Sequence, residues 1–266
     1  MAGLNRAMIL FLQFTNTNFK DDEMNDLLYN FCEKYGYKKN NLRFYLKNYL
    51  FKGMDFRNKR ILDIGGGDGV NSFFAVISGA RAVVLEPGDD GSTLGVQAKF
   101  LEMRNYLNLT KDEIELFSTR LQDYESSEKF DIVLLHNSIN HIDEEACVDL
   151  LERQEARDVY SSIFRKIASL VNVGGVIIVT DCARANFWPS VGLVNPVARS
   201  IEWHKHHAPE TWSGLLTRAG FVETSISWTS FNTLRWLGRY LLGNKYLNYF
   251  LLGHFRLEMR RGMMDR

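Results

Sequence analysis

The sequence predicts an α/β fold: a doubly wound, mostly parallel seven-stranded sheet whose last strand is antiparallel, with an N-terminal helical lid and substrate-side insertions. Three observations predict it. Short apolar runs alternate with helical segments from residue 58 onward, and a glycine cluster follows the first run. The last run alternates Phe255, Leu257 and Met259 with Arg256, Glu258 and Arg260, the pattern of a half-exposed antiparallel strand.

Taken in order, Met24, Leu27, Leu28 and Phe31, then Leu42, Tyr45, Leu46 and Tyr49, recur at helical spacing, with Gly36 as the break. These helices form a lid segment, 1–57, ahead of a main domain, 58–266. Arg60 to Ile64 reads as a strand, Val70 to Ile77 as a helix and Ala82 to Leu85 as a second strand, a βαβ unit that needs parallel pairing. A helix over Gly95 to Leu107, a strand around Glu115 to Phe117 and a strand over Phe130 to Leu135 follow. One helix is expected from about Glu145 to Val171, then Gly174-Gly175 and a strand over Val176 to Thr180. Glu210 to Ala219 reads as a helix that Gly220 ends, and Val222 to Trp228 as a strand. Insertions are expected at Cys182 to Ala208 and Asn232 to Gly253.

A chain of 266 residues can bury a core without disulfides or metal. Its formal net charge of zero gives no bulk attraction to nucleic acid, so no nucleic-acid partner is expected. Cys32, Cys147 and Cys182 lie far apart with no C-x-x-C pair, so neither a disulfide framework nor a zinc knuckle is suggested, and a reducing, cytoplasmic setting is the simpler reading. The apolar run Met8 to Phe14, interrupted by Gln13, is too short to span a bilayer and reads as a core or lid helix.

The chemistry centres on Asp63-Ile64-Gly65-Gly66-Gly67-Asp68-Gly69. Glycines where a strand turns into a helix let the backbone take positive φ and approach a nucleotide-type ligand. Glu86, at the end of the second strand, can accept hydrogen bonds from both hydroxyls of a ribose. A dinucleotide fingerprint would need glycine or alanine at Val70. Asp63 would also repel a pyrophosphate, whereas it suits S-adenosylmethionine, which carries an ammonium and a sulfonium and no phosphate. An NAD-dependent oxidoreductase is thus the disfavoured alternative.

Ile61-Leu62-Asp63-Ile64-Gly65-Gly66-Gly67-Asp68-Gly69, Glu86, Phe130-Asp131-Ile132-Val133 and Ala219-Gly220-Phe221 together resemble the class I S-adenosylmethionine-dependent methyltransferases, over about Asn58 to Trp228. The resemblance implies a reversed last strand and S-adenosylmethionine as cofactor. It implies that Gly65, Gly66 and Gly67 lie against the amino-acid part of the cofactor, that Asp63 helps hold its ammonium and that Glu86 binds the ribose. It places Arg120, Leu121 and Gln122 near the adenine, although Arg120 stands where many members carry aspartate. His136 and Asn137 fall beneath the methionine part. Asp68 has no role assigned by the resemblance.

A methyl acceptor of hydroxyl type needs a group to take its proton. His141, in Asn137-Ser138-Ile139-Asn140-His141-Ile142, is one candidate base, with helix capping or packing as its other reading. His204, His206 and His207 form the densest titratable cluster; His204 and His207 are further candidates, against a plain surface role or metal binding. No acidic or cysteine ligands accompany them at a recognisable spacing, so no metal is assigned. Phe187, Trp188 and Trp203 offer stacking surfaces for a sugar or planar substrate.

The expected activity is methyl transfer to an oxygen, or a nitrogen, of a small-molecule or glycan-type acceptor. A non-catalytic S-adenosylmethionine-binding protein is the alternative of another class. Leu234 to Leu252, rich in leucine and aromatics with Arg235, Arg239 and Lys245, reads as an amphipathic cover or as a weak membrane-surface contact, and Gly238 and Gly243 argue against one continuous helix.

Overall fold

The computed structural model describes residues 23–88, 95–229 and 232–263. The run Met8 to Phe14 lies outside them. A single sheet of seven strands runs in the order β3-β2-β1-β4-β5-β7-β6. The strands are β1 (Arg60–Ile64), β2 (Arg81–Leu85), β3 (Ile114–Phe117), β4 (Phe130–His136), β5 (Val171–Cys182), β6 (Phe221–Trp228) and β7 (His254–Arg261). β1 pairs in parallel with β2 on one side and β4 on the other, so the chain winds outward from it in both directions. β7 is antiparallel to both β5 and β6 and lies between them.

The inner parallel strands β1, β2 and β4 are largely buried, as both faces of the sheet are covered, while the edge strand β3 is more open. On one face pack α1 (23–34), α2 (Lys39–Tyr45), a π-helical turn over Leu46–Leu50, α3 (Val70–Ile77) and α4 (Val96–Tyr106). Leu28, Phe31 and Leu46 share one core with Phe73, Phe100 and Val84, so the described part of the N-terminal segment is built into the sheet's own core. On the other face, α6 (Gln154–Leu170) and α8 (Pro209–Arg218) enclose a second core around Tyr160, Phe164 and Trp212. The Trp212 ring is fully buried, 5.2 Å from Tyr160 and edge-on to Phe164 at 6.1 Å.

The helix expected over Glu145 to Val171 is two: α5 (Glu144–Asp149) and α6. Asp143 caps the first by accepting from the Ala146 amide at 2.9 Å, and Arg157 donates to the Leu151 carbonyl at 3.1 Å just past its end. These are side-chain devices, with neither glycine nor proline at the break to announce it. β5 begins five residues before the expected Val176, through Gly174 at φ 78° and a register shift against β4. Gly175 is required there, since a Cβ would stand 2.9 Å from the Asn172 carbonyl and 3.0 Å from that of Asp131. The second insertion forms α9 (Arg235–Leu242) and α10 (Lys245–Phe250), divided at Gly243, and the first carries α7 (Phe187–Ser190).

Because Trp212 ties α8 to α6 and has collapsed neighbours on every side, Trp212→Ala is expected to cost about 3–5 kcal/mol of stability. Urea unfolding followed by circular dichroism checks this, and a loss below about 1 kcal/mol would mean the second core does not depend on it.

Candidate functional site

The carboxyl ends of β1, β2 and β4 open into a cavity of about 1350 Å³. This lies above the ~300–1,000 Å³ usual for one small molecule, so the cavity has room for a cofactor and a second ligand. Its floor is the loop from β1 to α3. Gly65, Gly67 and Gly69 all have positive φ, at 68°, 54° and 78°. A Cβ on Gly65 would stand 2.6 Å from that of Ser138, and one on Gly69 would strike Phe100 at 2.7 Å. Gly67 is different: nothing lies within 4 Å of its Cβ position, so its backbone is open to the cavity. The loop is held by Leu85, whose carbonyl accepts from the Gly65 amide at 2.8 Å, and by Glu86, whose Oε2 accepts from the Gly67 amide at 2.9 Å.

Glu86 is buried to 7% exposure yet lines the cavity, so its carboxylate and the open Gly67 backbone form one wall. These residues fit the amino-acid and ribose parts of S-adenosylmethionine. Asp63 sits differently from the expectation. It is fully buried behind Gly66, whose Cβ position lies 2.8 Å from the Asp63 carboxylate, and it does not line the cavity. Ser72 donates to Oδ2 at 2.7 Å, while Oδ1 is buried without a hydrogen-bond partner. Burial, opposed by Ser72 and reinforced by Glu86 and Asp68, pushes its carboxyl up to about 7. Asp63 thus lies beneath the loop, screened from the cavity by Gly66 and held by Ser72 of α3. Besides Glu86, Asp68 of the loop itself reaches the cavity; it pairs with Lys99 and accepts from the Tyr37 hydroxyl at 3.3 Å.

Arg120, Leu121 and Gln122 line the end of the cavity beyond β3. Gln122 donates to the Ile142 carbonyl at 3.1 Å, which ties the loop holding His141 to that same end. His141 also lines the cavity, half-exposed, with Nδ1 2.5 Å from Glu144 Oε1. Lys205 holds the other Glu144 oxygen at 3.0 Å.

The opposite end is built by His136 and Asn137 after β4 together with residues the sequence reading did not select. Tyr45 from α2 places its hydroxyl 2.8 Å from His136 Nε2. His254, the first residue of β7, lies with Nε2 3.1 Å from Asn137 Oδ1 and with Nδ1 3.5 Å from the Tyr49 hydroxyl. Asn137 reaches this position through a left-handed backbone, φ 54°. Burial holds His136 down to about 4 and His254 to about 3, so both rings are neutral at pH 7.

The other two histidine candidates lie away from the cavity. His207 is fully buried, its Nε2 2.6 Å from the Cys147 carbonyl and its ring edge-on to Trp212 at 5.3 Å, which makes it a packing and hydrogen-bonding residue of the second core. His204 is exposed in the 3-10 turn Trp203–Lys205, outside the cavity lining. His206 pairs with Asp181 at 2.9 Å. Among the described residues, no group of three or more His, Cys, Asp or Glu is placed to hold a metal ion. His254 had a signal in the sequence: a strand antiparallel to β5 must begin at the carboxyl edge, so its first residue faces the ligand side. Tyr45 had none, because its place depends on how α2 crosses the sheet.

The model of a family described as a methyltransferase domain matches residues 37–226. Over 80 residues, 30% of this chain and 12% of the relative, the chain is 35% identical to the histone-arginine methyltransferase CARMER of Anopheles gambiae. The apo form of the S-adenosylmethionine-dependent methyltransferase SibL superposes with a TM-score of 0.51 at 17% identity, covering 80% of this chain and 54% of that one. A protein of Listeria monocytogenes assigned to the S-adenosylmethionine-dependent methyltransferases superposes with a TM-score of 0.54 at 12% identity, covering 85% of this chain and all of that one. The chain thus spans 12% of the first curated relative and 54% of the first structural one, and the structural likenesses establish the fold.

The raised Asp63 carboxyl has a signed consequence. Its folded value of about 7 exceeds the ordinary ~3.9 of an unfolded chain, so between these pH values the folded state binds a proton the unfolded state does not, and stability falls as pH rises across that window. Asp63→Asn removes this dependence. In urea unfolding at pH 5 and pH 8, the variant is expected to gain on the wild type by an amount on the order of a few kcal/mol at the higher pH. Parallel behaviour of the two proteins across that range would show that Asp63 is ionised throughout.

Proposed function

We propose, from the premise that the chain belongs to the class I S-adenosylmethionine-dependent methyltransferases, that it transfers a methyl group to a hydroxyl of a small-molecule or glycan-type acceptor. The observation that carries this reading is one cavity with the open Gly67 backbone and Glu86 at its centre and paired neutral hydrogen-bonding groups at one end. When bound, S-adenosylmethionine supplies a sulfonium methyl as electrophile. Gly65, Gly66 and Gly67 would hold its amino-acid part, with Asp68 as a carboxylate of the loop on the cavity side and Asp63 buried beneath Gly66. Glu86 would take the ribose, and Arg120, Leu121 and Gln122 the adenine.

With the adenine assigned to Arg120, Leu121 and Gln122, the bond from Gln122 to the Ile142 carbonyl supports a place for His141 at that end, and the proton-accepting role is assigned to the other. There the acceptor hydroxyl would lie against Tyr45 and His136. As the oxygen gains the methyl, its proton would pass to His136 Nε2 through the Tyr45 hydroxyl, which lies 2.8 Å from that nitrogen. His254, held by Asn137, orients the acceptor. A nitrogen acceptor is the second reading, prompted by the histone-arginine methyltransferase likeness. It is less well supported, because the carboxylates a guanidinium would need are engaged: Asp143 caps α5, and Glu144 binds His141 and Lys205.

Glu86→Gln is expected to weaken S-adenosylhomocysteine binding by about 1.5–3 kcal/mol, the scale of a hydrogen bond to a charged group, in isothermal titration. Unchanged binding would remove Glu86 from the ribose site. With an acceptor identified by screening phenols, sugars and amines for S-adenosylhomocysteine release, His136→Ala should lower kcat by roughly 10²–10⁴-fold and leave cofactor affinity nearly unaltered. Because the neutral ring is the active form and burial holds it near 4, wild-type kcat should stay flat from pH 8 down to about pH 5 and fall only below that. A break near pH 6.5 that vanishes in His141→Ala would instead return the base to His141.

A further inference from the structure

The two insertions meet each other, the second of them bordering the cavity, and form a surface unlike the rest of the chain. They are joined by hydrogen bonds to the end of α10: Trp188 Nε1 donates to the Phe250 carbonyl at 2.8 Å, and Asn186 and Asn195 both donate to that of Leu251, at 2.9 and 2.7 Å. α9 is anchored on the opposite flank. Arg239 donates to the Asn48 carbonyl, the buried Gly238 lets the helix approach, and the Trp236 ring meets Phe44 edge-on at 5.1 Å. The helices are therefore fixed in place, yet their apolar side chains are not covered. Tyr240 is 87% exposed, Tyr246 83%, Trp236 63% and Leu237 61%. Leu193 and Val194 continue the apolar surface on the first insertion, at 56% and 71% exposure.

The charge pattern indicates what such a surface meets. From Thr224 to Leu257 the sequence holds no Asp or Glu, while it carries Arg235, Arg239, Lys245 and Arg256; from Cys182 to Ile201 there is again no acidic residue, with Arg184 and Arg199 present. Arg256 is buried against Glu258, Lys245 pairs with Glu210 and Arg239 anchors α9, so the cations that bear on this surface are Arg184, Arg199 and Arg235. Two segments far apart in sequence thus share one composition, apolar and aromatic with cations only, in a chain whose net charge is zero. Exposed Trp and Tyr with basic residues beside them is the chemistry of a bilayer interface, where rings sit at headgroup level and cations meet anionic lipid. A protein partner with complementary carboxylates is the competing occupant, but exposed aromatic rings at this density beside Arg184, Arg199 and Arg235 fit a lipid surface more closely. Among the described residues no helix is long and apolar enough to cross a membrane, so the contact would be peripheral.

We propose that this face docks on an anionic lipid bilayer and that the methyl acceptor is the headgroup of a lipid-linked molecule. The second half rests on the methyl-transfer reading above. Asn232, Thr233 and Leu252 belong both to the second insertion and to the cavity lining, so the docking face and the acceptor end of the cavity are continuous. A headgroup carried on a membrane lipid would enter past these residues toward Tyr45 and His254 while its chains stayed in the bilayer.

The test is co-sedimentation of the full chain with vesicles of phosphatidylcholine alone and of phosphatidylcholine mixed with phosphatidylglycerol, beside a Trp236→Ser/Leu237→Ser/Tyr240→Ser variant. The wild type is expected to partition onto the anionic vesicles, less so as salt is raised, and the variant to partition at least about tenfold less. Titration of both proteins with S-adenosylhomocysteine reports separately on the cofactor site: equal affinity shows that the variant is folded, and loss of binding in both would defeat the methyl-transfer reading without touching the docking one. Wild type left in the supernatant with both vesicle types, or a variant that binds as well as the wild type, overturns the proposal. So does sedimentation velocity showing a dimer that the three substitutions dissolve in the absence of lipid, which would assign the face to a second copy of the chain.

Discussion

The strand β1 is paired in parallel on both sides, and that constraint organises the site. A strand with β2 on one flank and β4 on the other must send its chain out at the edge where both neighbours also end. The turn that leaves it has little room: Ser138 presses on Gly65, Val84 and Asp63 on Gly66, and Phe100 on Gly69. Three of the loop's glycines are thus required by protein packing, and only Gly67 is left bare for a ligand. The loop serves the fold and the cofactor through different residues, a division that the motif as a string of letters does not show.

Much of the sheet was legible because its signals are local. β1, α3 and the strands β2 and β4 stood within a residue of their expected limits, since an apolar run followed by glycine, or a helical stripe between two such runs, reflects burial and backbone freedom in the same few residues. The break between α5 and α6 was hidden for the opposite reason. It depends on Arg157 reaching back past Glu152 and Arg153 to a carbonyl, and helical periodicity continues across the gap. The direction of β7 was readable from its alternation, while its place between β5 and β6 was not, since that is decided by which edge remains open.

At the site, residue type was easier to read than position. The family resemblance brought Gln122, His136 and Asn137 forward beside Glu86, and all four line the cavity at or beyond the carboxyl end of a strand. The histidine cluster misled because it lies in an insertion, where chain order says little about which way a ring turns. His207 points into the core beneath α8, whereas His254, isolated in sequence, stands beside Asn137. Asp63 shows the same limit. Its acidic character was noted correctly, but whether a carboxylate faces a ligand or supports a turn is a matter of what stands in front of it, and here that is Gly66.

The position of β7 also bears on how the molecule is made. Residues 221–228 reach the sheet only by pairing with 254–261, and both insertion helices are emitted in the interval. During synthesis β6 therefore waits, with its edge unpaired, until the last strand has emerged from the ribosome and slid in beside β5. Parallel strands β1 to β5 can assemble in the order they appear, but closure of the sheet is a late event of long sequence separation. Until then the leucine- and tyrosine-rich stretch between β6 and β7 is presented on an unfinished sheet, which makes this the interval in which the nascent chain is most open to a chaperone, to aggregation, or to capture by a neighbouring surface.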